Sequence, residues 1–223
     1  MQYVTVGFLV AYLILVLFYL RPPKSDQKHG RVWNKTSMAV LYYLYALVAF
    51  FAARRMEPLV LLAVLTGLFF CMVGDVVIQF RFITGAVFFF VANLVFIGFQ
   101  LWSLKDLGLA LRDVWWFLPV AVIPLFAVVE LERHKWLKLG HLAGIAVLYL
   151  TSVTFSGMLG IAIAVASGSL GRWLLGVGLA LYMISDYFLI YREFRRSRRF
   201  AQVGNTLTYF IGMMIVSLSV MEL

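Results

Sequence analysis

The sequence predicts an all-α protein, an integral-membrane helical bundle of about eight transmembrane helices, and three observations carry that prediction. Apolar and aromatic residues make up 64% of the 223 residues and charged ones 13%, roughly half the charge of a soluble domain. The apolar residues are gathered into runs of roughly the 17–25 residues that cross a hydrocarbon core about 30 Å thick. The basic residues fall between the runs, where signals of membrane orientation belong. Almost the whole chain lies in such runs, so residues 1–223 read as a single integral-membrane domain.

The runs fall in order at about 3–20, 36–53, 58–80, 83–104, 114–131, 140–166, 172–191 and 202–221. The first has no basic segment before it and no clear small-residue cleavage site, so it reads as a retained span rather than a signal. The third and fourth are joined only through Arg81-Phe82-Ile83-Thr84, a tight antiparallel connection. The fifth contains Pro119 and Pro124, which predicts a kinked helix. Helices are the spanning form, because barrel strands would be shorter and would alternate in polarity.

Of the 19 Lys and Arg, 14 lie in the connections after the first, third, fifth and seventh runs. Positive-inside then puts those connections in the cytoplasm and both termini outside. The expected location is a bacterial inner (cell) membrane. The largest basic clusters, Arg21 to Lys35 and Arg192 to Arg199, read first as topology signals, with attraction to anionic headgroups as the alternative. The net charge of +9 is accounted for by these connections, so nucleic acid is not an expected partner. A single cysteine, Cys71, excludes an intrachain disulfide.

Two aspartates interrupt the apolar runs. Asp75 and Asp186 lie inside the third and seventh spans, where a carboxylate costs several kcal/mol and so usually faces a protein interior with a function. Their settings match. Gly74-Asp75 is followed by Phe80-Arg81, and Ser185-Asp186 by Tyr191-Arg192, at the same offsets. Each arginine lies six residues on, about 9 Å along a helix. The two acids therefore sit at similar depth, in the cytoplasmic half.

The repeat continues into the next spans, with Asn93 before Phe96-Ile97-Gly98 and Asn205 before Phe210-Ile211-Gly212. Spans three and four thus resemble seven and eight. This suggests a parallel duplication of spans 1–4 and 5–8 about an axis along the membrane normal. Such symmetry brings the aspartates together across a central cavity. Gln79, Asn93, Tyr149, Tyr182, Asn205 and Tyr209 are candidate polar walls, and each alone is also ordinary interhelical glue. His29, His134 and His141 fall in loops or at a span boundary, which argues against a Ser-His-Asp triad or a histidine metal site. No cofactor and no metal are expected.

Gly67-Leu-Phe-Phe-Cys-Met-Val-Gly-Asp75, Phe82-x-x-Gly85, Ser185-Asp186 and Leu207-Thr-Tyr-Phe-Ile-Gly212 resemble the YhhN family. The resemblance implies eight-span membrane proteins that include lysoplasmalogenases, which hydrolyse the vinyl-ether bond of lysoplasmalogen to a fatty aldehyde and a glycerophospho-alcohol. It implies a lysolipid or related amphiphile as partner, within membrane lipid. Two positions depart from the family pattern: Glu57-Pro58 stands where Lys-Pro is usual, and Asn93 where a histidine is usual. The first removes a cation that could meet a phosphate, and the second a titratable group.

Paired carboxylates suit that reaction, which needs one protonated acid and one anion, as in glycoside hydrolysis. Two close aspartates in a low dielectric share a proton. Tyr182 and Ser185 flank the second acid and could stabilise an anion, which assigns Asp186 as base and Asp75 as acid. Arg81 and Arg192 are the candidates to receive a phosphate headgroup. Two other readings of the acids stay open: a proton-coupled or lipid-binding transporter or carrier, and plain interhelical glue.

Overall fold

The computed structural model describes residues 2–20, 28–52, 58–134, 140–194 and 199–223. Glu57, Arg54, Arg55, most of the loop from Arg21 and the run Arg195 to Arg198 lie outside the described residues. The first half holds α1 (Gln2–Leu20), α2 (Lys28–Ala52), α3 (Pro58–Val77) and α4 (Phe82–Asp106). Short pieces follow: α5 (Leu111–Val114), α6 (Leu118–Ala121) and α7 (Ile123–Arg133). The chain ends with α8 (Ala143–Ser167), α9 (Leu170–Phe194) and α10 (Arg199–Ser219). Among the described residues there is no strand. Six of these helices are long and apolar enough to cross a bilayer, and α3 is apolar over Leu62–Val77. The protein is an integral-membrane helical bundle.

The fifth expected span is the one that differs. It is not one kinked helix but α5, a 3-10 turn at Trp115–Phe117, α6 and α7 in succession. Pro119 lies in the first turn of α6 and Pro124 in the first turn of α7. Proline lacks the N–H an α-helix needs in its interior and clashes with the carbonyl four residues back, so each proline restarts the helix instead of bending it.

The helix contacts repeat in the two halves. α3 packs on α2 and α4, and α9 packs on α8 and α10. The halves are joined reciprocally, α4 against α8 and α10 against α2. These contacts put the starts of α2, α4, α8 and α10 at one end of the bundle, with the ends of α3 and α9.

Glycines set the closest approaches. At the α9–α10 crossing, a Cβ on Gly178 would stand 2.8 Å from the Gly212 carbonyl, and a Cβ on Gly212 2.8 Å from that of Gly178. Such small-residue crossings let membrane helices approach where lipid offers no hydrophobic drive. At the α3–α4 turn, a Cβ on Gly85 would lie 2.5 Å from the Ile78 Cα. Backbone cannot give way as a side-chain tip can, which explains the glycine of the Phe-x-x-Gly sequence. Gly85→Ala is expected to lower the melting temperature in detergent, at a cost of about 1–3 kcal/mol for overpacking. Gly98→Ala, on the same helix with nothing within 4 Å of the new Cβ, is the control and should be neutral or stabilising. Equal melting of the two variants would remove the steric account.

Candidate functional site

Asp75 and Asp186 are buried, 1% and 2% exposed. Both line one cavity of about 300 Å³, at the end of the bundle where α2, α4 and α10 begin and α3 and α9 finish. The expectation of a shared cavity therefore holds in the geometry. The sequence builds it from two spans that carry their acids in their C-terminal halves, so that antiparallel neighbours converge on them.

The aspartates are held by different kinds of donor. Lys35 Nζ lies 3.1 Å from Asp75 Oδ1. Tyr42 and Tyr209 donate their hydroxyls to Asp75 Oδ2, at 3.2 Å and 2.7 Å. Lys35 and Tyr42 are seven residues apart on α2, two turns on one face, which aims both at α3. Asp186 accepts the Tyr149 hydroxyl at 2.5 Å, and among the described residues it forms no ion pair. The motif recurs in each half: a tyrosine 33 residues before the acid in the first and 37 before it in the second, each from the preceding long helix. The cation does not recur. Counting back seven from Tyr149 reaches Leu142, where counting back seven from Tyr42 reaches Lys35.

The candidate polar residues separate into groups. Gln79, Arg192, Asn205 and Tyr209 line the cavity. Gln79 sits in the turn after α3 and donates to the Asp75 carbonyl at 3.0 Å and to Thr36 Oγ1 at 3.3 Å. Asn205 donates to the Ser185 carbonyl at 2.9 Å, and its Oδ1 accepts from Arg192 at 3.5 Å. Asn93 and Tyr182 do not line the cavity. They form a buried pair behind it, with Asn93 Nδ2 donating to the Tyr182 hydroxyl at 3.3 Å and to the Phe89 carbonyl at 3.0 Å. Ser185 donates to the Tyr182 carbonyl at 2.6 Å. Tyr149 reaches Asp186 from the far side, its ring on an apolar groove.

The two arginines part company. Arg192 is still on α9 and lines the cavity, whereas Arg81 is exposed at the N-terminal boundary of α4, off the cavity wall. Asp75 lies two residues before the end of α3 and Asp186 eight before the end of α9. The same six-residue offset therefore rounds a turn in one copy and climbs a helix in the other.

Lys35 and Tyr42 meet Asp75, and the sequence pattern does not single them out. Lys35 belongs by pattern to a basic cluster flanking a span expected to start at 36, while α2 starts at Lys28. The signal that could find it is spacing: Lys35 and Tyr42 are seven residues apart, two helical turns.

The model of the YhhN family matches residues 30–220, a stretch that includes both aspartates and every side chain named around them. No curated protein and no solved structure matches the chain.

Proposed function

The chain belongs to the YhhN family, and from that premise we propose that it is a membrane-embedded hydrolase acting on the vinyl-ether bond of lysoplasmalogen-type lysolipids. One observation carries the reading: two buried carboxylates from separate helices line a single cavity that also holds Lys35 and Arg192. That combination offers an acid, an anion, room for water and cations for a phosphate.

The chemistry proceeds in three steps. One aspartic acid protonates the alkenyl carbon distal to the ether oxygen, leaving an oxocarbenium ion. The other, as carboxylate, stabilises that cation and takes a proton from the water that adds to it. The hemiacetal then collapses to aldehyde and alcohol, and the proton returns to the acid. The donors favour the opposite assignment to the one made from Tyr182 and Ser185. Three groups, one of them a cation, point at Asp75, and hydrogen bonds to a carboxylate stabilise its charged form. Asp75, with Lys35 beside it, is thus the anion, and Asp186, with no ion pair among the described residues, carries the proton.

Aldehyde release from a defined alkenyl lysolipid by purified protein tests the activity. No release from any alkenyl substrate sinks the hydrolase and leaves the acids to a carrier. The headgroup has its own test. Arg192→Gln is expected to raise KM for a phosphate-bearing substrate with little change in kcat, the mark of lost ground-state binding. Arg81→Gln, altering an exposed side chain off the cavity, should leave both constants alone. The reverse ranking would move the headgroup site to the α3–α4 turn.

A further inference from the structure

The bundle carries a second cleft, on the other side of Asp186. It is a groove of about 170 Å³ lined by α4, α8 and α9. The polar cavity is lined by α2, α4, α9, α10 and the end of α3 with the turn after it. Matching Tyr42 to Tyr149 and Asp75 to Asp186, the walls of the two clefts correspond in part, and where the cavity has polar side chains the groove has apolar ones. Lys35 on the polar side corresponds to Leu142 on the groove, and Gln79 to Ile190. The clefts also adjoin. Phe82 and Leu189 line both, and Tyr149, a wall of the groove, places its hydroxyl on Asp186.

We infer that the groove between α4, α8 and α9 seats the hydrocarbon chain of a single-chain amphiphile whose polar head occupies the cavity of Lys35 and Arg192. The bond joining head to chain then lies at Phe82 and Leu189, beside the aspartates. This rests on the hydrolase reading and assigns the chain its place. From Phe82 to Phe90 the groove runs about 12 Å along α4 at 1.5 Å per residue. With a volume of about 170 Å³ it has room for part of one chain and none for a second. Its rim opens outward, with Val87 54%, Ile145 57% and Leu148 60% exposed, so a chain enters sideways from the bilayer. Lipid is as apolar as the groove, so the groove contributes position more than affinity. The effect belongs in kcat/KM for substrates long enough to reach it.

Two measurements test this. A lysophospholipid with a diazirine near the middle of its chain is photolysed on the wild-type protein and the labelled peptides are mapped. Labelling should concentrate on residues 82–90 and 142–149. Labelling spread evenly over the outer faces, α1 included, overturns the inference whether or not the protein is a hydrolase. In the second, Ala86→Trp fills the groove and Ile145→Trp covers its rim at an exposed position that folding tolerates. Each should lower kcat/KM for a long-chain alkenyl lysolipid about tenfold or more and spare a water-soluble alkenyl ether of two or three carbons. Leu44→Trp, on the outer face of α2, is the control and should change neither. Equal loss on both substrates, or none on the long one, removes the groove while leaving the hydrolase intact. A wild type inactive on every alkenyl ether sinks the hydrolase, and the labelling pattern still decides the groove.

Discussion

Asp75→Asn and Asp186→Asn are each expected to lower vinyl-ether turnover by about 10²–10⁴-fold or more, the range for loss of a general acid or base. Asparagine is close to aspartate in shape but neither donates nor accepts the catalytic proton. The double variant should be little worse than the poorer single one, because groups that act as a unit are not additive. The two variants should differ in stability. At position 186 the asparagine Oδ1 still accepts the Tyr149 hydroxyl, so melting should be nearly unchanged. At position 75 the Tyr42 and Tyr209 donors are retained but Lys35 loses its counter-charge, so melting should fall. Turnover and detergent melting of the purified variants check this. Near-wild-type turnover in either variant removes that aspartate from the chemistry. A large loss of folded protein from Asp186→Asn, with normal turnover in what remains, would make the acid interhelical glue.

Much of this arrangement is legible in the chain because membrane helices follow strong local rules. Apart from the start of α2, the apolar runs place the long helices within a few residues, and the cost of a buried carboxylate singles out Asp75 and Asp186 from residue type and setting alone. What is not legible depends on where a helix stops. The polar first turns of α2 extend past its hydrophobic run, so Lys35 reads as loop although it is helical. α3 ends soon after its acid and α9 does not, so two arginines at identical offsets land in different places. Tyr42 stands among Tyr43 and Tyr45, and only packing against α3 decides which ring meets the acid. Asn93 shows the same limit from the other side. Its polarity within an apolar span marks it as buried, but its partner is Tyr182, not the cavity.

Lys35→Met is expected to reduce both activity and stability, and Lys35→Arg to restore a good part of each. The cation faces an acid that is 1% exposed while itself keeping 19% exposure at the cavity. Removing one partner of a fully buried pair costs about 3–5 kcal/mol, because the remaining charge is left uncompensated. Partial exposure of Lys35 brings the expected cost below that, and Tyr42 and Tyr209 still donate to Asp75. The loss of activity has a specific cause. Without the cation, Asp75 has less reason to be the anion of the pair, and the division of labour with Asp186 weakens. The readout that separates this from plain destabilisation is a pH–rate profile taken on folded protein well below its melting temperature. A positioning role for Lys35 displaces the limbs of that profile in Lys35→Met and returns them in Lys35→Arg. A merely structural role scales the rate without moving the limbs. An unchanged profile together with unchanged kcat would leave Lys35 as a topology residue and return the choice of base to the two tyrosines on Asp75.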